Sequence, residues 1–143
     1  NTCVDILAVA EQMLLGELEY HRGDVQEGFD HLRRAIQLDD NLPYDEPWGW
    51  MQPVRHALGA LLLEQGCYEE AESIYRADLG LDATLSRPCQ HPGNVWSLHG
   101  LAECLERRGE STELPHIHLQ LERALARATV PIRASCYCRG AAQ

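Results

Sequence analysis

The chain has 143 residues, with 22 acidic side chains against 12 basic ones and a formal net charge of −10. That length lets one domain bury a core of its own, and no apolar run reaches the 18 or so residues that cross a bilayer. An acidic surface also lacks the basic patch that duplex binding uses. The expectation is a soluble, cytoplasmic domain with no membrane or nucleic-acid partner. The charge is uneven: residues 1–50 hold eleven acids against three Arg, residues 51–143 eleven against nine, and no basic residue is Lys. The chain starts at Asn1 without a signal-like segment, which is read as a fragment or a trimmed start.

In chain order, the first expected helix spans about 4–22, with Leu7, Met13, Leu14, Leu15 and Leu18 at helical rather than strand spacing. The second spans about 25–38 and opens on Asp24 and Glu27, a pair able to cap backbone N–H groups reciprocally. A connector follows, Asn41 to Pro53, with three prolines, Tyr44, Trp48 and Trp50 beside Asp45 and Glu46. Proline restricts it to a rigid, extended path. Helices are expected next at about 51–65 (Val54, Leu58, Leu61, Leu62) and 68–81, then a second connector from Arg87 to Asn94. The last two helices fall at about 94–108 and 115–129, and 130–143 is a tail.

A 43-residue self-similarity organises these elements: Leu15-Gly16, Leu58-Gly59 and Leu101-Ala102 recur at that spacing, followed by Gly23, Gly66 and Gly109 and by Glu27, Glu70 and Glu113. Gly and Ala in the first helix of each unit let a neighbour approach closely, and packing outweighs the helix penalty of about 1 kcal/mol for Gly. The second unit carries Leu62, Ala71 and Tyr75 in addition. With these residues the chain resembles the tetratricopeptide repeat family over about residues 4–129. It departs from the pattern at Gly28 and Asp40 in the first unit and at Leu114 and His118 in the third. The family period is about 34 residues, so each unit carries roughly nine more in its connectors. The resemblance implies an all-α, tetratricopeptide-like α-α superhelix of three helical hairpins. It forms a single domain with repeats at about 4–40, 51–83 and 94–129.

The resemblance also implies that the first helix of each unit lines a concave surface. Mapped by register, that surface takes Met13, Glu17, Tyr20 and His21, then Pro53, His56, Ala60 and Leu63, then Trp96, His99, Glu103, Glu106 and Arg107. His56 and His99 share one register and Glu17 and Glu103 the next, so two imidazoles and two carboxylates are expected to converge. His99 and Glu103, four apart, share a helix face, as a metal pair or a hydrogen-bonded couple would. His116 and His118, two apart, point to different sides and make a poor ligand pair.

Cys3, Cys67 and Cys104 read as small buried hydrophobes. Cys89, His91, Cys136 and Cys138 lie in irregular segments free to turn towards an ion, without the two-residue spacing of common zinc motifs. Nothing suggests a disulfide framework. No Gly-rich phosphate loop, G-x-S-x-G elbow or H-E-x-x-H pair is present.

The preferred reading is a binding module without a cofactor, a scaffold accepting a peptide or partner helix in an acidic, aromatic groove. Tyr20, Trp48, Trp50 and Trp96 serve as anchors, Glu17, Glu103 and Glu106 select a basic group, and Tyr44, Asp45, Glu46, His56, His99 and Arg107 complete the lining. The alternative is a metal-dependent small-molecule binder or enzyme drawing on His56, His91, His99, Glu103, Cys89, Cys136 and Cys138. A third reading makes the chain part of a longer array or a homodimer, with Ile6, Leu7 and Val9 of the first helix facing the missing repeat or the second copy.

Overall fold

The computed structural model describes residues 1–139, which form six α-helices and a short 3-10 turn, Arg87–Cys89, with no strand among them. The helices are α1 (Cys3–Arg22), α2 (Val25–Asp40), α3 (Val54–Glu64), α4 (Tyr68–Leu79), α5 (Val95–Arg108) and α6 (Leu114–Leu125). The chain is therefore all-α. It divides into two compact units, Asn1–Val54 and the chain from Arg55 onward.

The first unit is the α1–α2 hairpin and the connector after it. Thr2 and Asp5 make a reciprocal capping box at the start of α1. Gly23 closes the helix in the left-handed conformation with φ 104°, which only Gly adopts without strain. Asp24, expected to cap α2, makes no side-chain cap bond. Glu27 reaches forward to His31, 3.7 Å away, rather than back to the helix start. The hairpin closes on two glycines: a Cβ on Gly28 would stand 2.8 Å from the Gly16 carbonyl oxygen and 2.8 Å from the Tyr20 nitrogen. Val9, Met13, Gly16 and Tyr20 form the buried face of α1 against Phe29, Leu32, Ala35 and Ile36 of α2.

That face corrects three expectations. Met13 and Tyr20 are core residues rather than groove lining, and Tyr20 packs on Phe29 at 5.8 Å between ring centroids. Val9 is fully buried instead of facing outward. The exposed stripe is Val4, Leu7, Leu14 and Leu18, and the exposure of Leu7 agrees with the outward face expected of it. The helix is apolar on two sides, so periodicity alone does not choose between them.

The second unit is built on α3, whose residues Val54 to Leu63 are all buried. A helix that is apolar nearly all round belongs inside. Pro53 delays its start beyond the expected residue 51, since the residue before a proline is held out of the helical region. α4 ends at Leu79 because Gly80 turns left-handed, and α5 begins behind Asn94, whose side chain accepts from the backbone N–H groups of Trp96 and Ser97. α6 stops at Leu125, four residues before its expected end.

Tyr75 of α4 is fully buried between two glycines. A Cβ on Gly59 of α3 would fall 2.5 Å from its ring, and one on Gly100 of α5 closer still. The repeat register pointed to Ala102 as the small contact of α5; Gly100 fills that role. On the far side of α4, Glu72 and Glu113 hold Arg76 at 2.7 and 2.5 Å, and Glu72 also pairs with Arg108. Glu113, one of the three repeat-related glutamates, thus ties the start of α6 to α4.

Gly100→Ala is expected to destabilise the chain by about 1–3 kcal/mol through overpacking against Tyr75. Gly28→Ala should cost a comparable amount because backbone atoms cannot move aside. Urea midpoints at constant m-value check both.

Candidate binding face of the second unit

Three side chains from three elements meet on one buried carboxylate. Asp78 of α4 is 1% exposed and accepts from His91 at 2.8 Å, from His56 at 3.2 Å and from the Ser97 hydroxyl at 2.5 Å. The His91 backbone N–H also donates to the Asp78 carbonyl at 2.6 Å. Burial opposes ionisation of Asp78, yet the hydrogen bonds from His56, His91 and Ser97 together outweigh it and hold the carboxyl well below the usual carboxylate range. This cluster fastens the second connector and α5 to α4.

The cluster overturns the expected convergence of histidines. His56 is buried on Asp78 with His91 as its neighbour, 6.4 Å between ring centroids, because a buried carboxylate must be satisfied. His99 stands elsewhere on α5, half-buried, with its Nδ1 making no hydrogen bond among the described residues. Burial pushes its pKa down, against the field of Glu103. Glu17 and Tyr20 belong to the first unit. Burial pushes the Glu17 carboxyl up, with His21 opposing.

The joint Cys–His zinc site is not assembled either. Cys136 and Cys138 are joined as a disulfide, Cys89 lies 3.3 Å from the Ser86 hydroxyl, and His91 is committed to Asp78. Among the described residues no three His, Cys, Asp or Glu side chains are grouped to hold an ion. Of the three cysteines expected in the core, only Cys104 is buried, its thiol pushed up to about 12 by that burial; Cys3 and Cys67 are exposed.

The segment expected to be a tail packs on the helices. Between Pro131 and Arg139 it lies on a face made by α3, α4 and α5. Ser135 is fully buried, with its hydroxyl 2.5 Å from that of Tyr75, whose phenol burial pushes well above its ordinary range. Tyr137 stands edge-on to Trp96 at 5.0 Å, and Arg139 donates to Glu103 at 2.8 Å. The Cys138 sulfur approaches the Ala57 carbonyl at 3.9 Å. The segment is a compact turn, with the Tyr137 hydroxyl donating to the Pro131 carbonyl at 3.1 Å.

Of the expected groove residues, Trp96 and Glu103 therefore meet at one occupied surface, with His99 on the α5 turn between them. Glu106 pairs with His118 at 3.0 Å, and Arg107 reaches Glu103 only at 3.9 Å. Ala60 and Leu63 are core. In the first unit Tyr44 is exposed, with its hydroxyl on Glu46, and Trp48 is also exposed. Asn1 anchors the connector through the Pro43 carbonyl at 2.8 Å and lies 3.4 Å from Asp45. Trp50 is half-buried, its indole N–H without a hydrogen bond among the described residues.

No protein-family model matches the chain, and no curated protein matches it in sequence.

Asp78→Ala leaves two imidazoles and a hydroxyl without their shared acceptor and is expected to cost about 3–5 kcal/mol. Because the folded carboxyl titrates below the unfolded one, its stabilisation is complete above about pH 4 and is lost as pH falls further. The stability gap between the unmodified chain and Asp78→Asn should accordingly narrow between about pH 4 and pH 2, read by chemical denaturation.

Proposed function

We propose that the chain is a tetratricopeptide-like repeat scaffold that binds a peptide or partner segment on the α3–α5 face of its second unit. The observation carrying this reading is the occupied face itself: a turn of polypeptide bearing a hydroxyl, an aromatic ring and a guanidinium sits on Tyr75, Trp96 and Glu103. These are the elements of a peptide site, a rigid aromatic anchor beside a charge that selects a basic group. The period of 43 residues and the close glycine contacts at Gly16 and Gly59 support the family assignment. In this reading the face is the binding surface of the second unit, and the exposed Tyr44 and Trp48 of the aromatic connector belong to the first unit.

Binding, not catalysis, is the activity assigned. The histidines grouped in the structure are spent on Asp78. We place the protein in the cytoplasm on its four unpaired thiols, Cys3, Cys67, Cys89 and Cys104, against which the Cys136–Cys138 disulfide stands as the one feature favouring an oxidising compartment among the described residues. No helix among the described residues is long and apolar enough to cross a membrane. A homodimer contact, if the chain forms one, falls on the outer stripe of α1, Val4, Leu7, Leu14 and Leu18.

Peptides selected on the chain from a displayed random library are expected to lose at least about tenfold in affinity to Trp96→Ala, with helix content unchanged by circular dichroism. Equal binding to the variant, or its unfolding, would assign Trp96 to packing.

A further inference from the structure

The face that the peptide-binding reading rests on is held by the chain's own residues 131–139. Three contacts there are specific in chemistry. Ser135 is buried on the Tyr75 hydroxyl. Tyr137 packs edge-on to Trp96 while staying 69% exposed, so its contact is one-sided. Arg139 is 17% exposed and paired to Glu103, with Glu64 adding to the negative field around it. The hydrogen bond that Arg139 donates to Glu103 raises the Arg139 pKa, as a charge-assisted pair should. Arg133 and Arg139 make this segment locally basic against an acidic surface.

We propose that this segment is a resident pseudo-ligand, and that the external partner is a polypeptide turn presenting an aromatic residue followed two positions later by Arg, which binds by displacing it. The inference rests on the peptide-binding reading and names its ligand chemistry and its control. The aromatic ring goes to Trp96 and the guanidinium to Glu103; a small hydroxyl residue two positions before the ring takes the Tyr75 hydroxyl. A tethered occupant acts at an effective concentration near the millimolar range. An outside peptide therefore sees its affinity reduced by the fraction of molecules whose face is open. Of the occupant's nine residues only Ser135 and Cys136 are buried.

The test uses the full chain and a synthetic, disulfide-closed, fluorescein-labelled peptide of residues 131–139, read by anisotropy. The full-chain variant Tyr137→Ala/Arg139→Ala, which alters only the occupant, is expected to bind the peptide about tenfold more tightly than the unmodified chain. Adding Glu103→Gln to that variant should abolish the gain, and a peptide with its Arg139 replaced by Ala should bind neither. Equal affinity for both chains, or no binding to a folded double variant, would overturn the proposal. Loss of helix content in the double variant would overturn it too, by showing the segment to be part of the core. If library-selected peptides still depend on Trp96 while the 131–139 peptide does not bind, the pseudo-ligand inference falls alone. If neither binds, the peptide-binding reading falls with it.

Discussion

The second unit depends on the Tyr75 ring being admitted between Gly59 and Gly100. No side chain larger than hydrogen fits at either glycine, since an added Cβ would lie inside the van der Waals radius of the ring. The slot brings α3, α4 and α5 together over one aromatic residue. It also delivers a phenolic oxygen to the surface on which the C-terminal segment rests, where Ser135 satisfies it. A buried hydroxyl without that partner would carry a desolvation penalty of about 1–3 kcal/mol. Packing of the helices and seating of the segment are thus linked through a single side chain.

Asp78 has the corresponding role about one turn further along α4. A buried carboxylate is costly to desolvate, and here three donors from three elements offset that cost. The result is a polar joint that fixes where the second connector returns to α5. It has the composition of a catalytic constellation, histidines, an aspartate and a serine, but the serine donates to the aspartate and neither histidine approaches it as a base. The arrangement reads as architecture, with its polar groups spent on one another.

The helices were legible because two physical signals agree: apolar spacing marks their faces, and glycines at Gly23, Gly80 and Gly109 take the left-handed conformation that ends them. Reading α3 as a first helix, with small residues at close contacts, follows from the same repeat. The partners of individual polar residues were not legible. Register put His56 beside His99, but register describes position on a helix and not which buried acceptor a side chain must satisfy; Asp78 claims His56. Register likewise offered Ala102 where Gly100 makes the contact. α1 misled in another way, being apolar on two faces, so that Val9, expected outward, packs inside while Leu14 and Leu18 are exposed. The seating of residues 131–139 left no periodic trace, because a turn held by a serine, a tyrosine and an arginine has no repeating pattern to read.

The phenol of Tyr75 ties the helical frame to its occupant, and one substitution isolates that tie. Hydrogen–deuterium exchange of Tyr75→Phe, compared with the unmodified chain, removes the hydroxyl and keeps the ring in its slot. The account predicts faster exchange over residues 131–139 with α3, α4 and α5 still protected. Unchanged protection of the segment, or a loss of protection spread evenly through the helices, would contradict it.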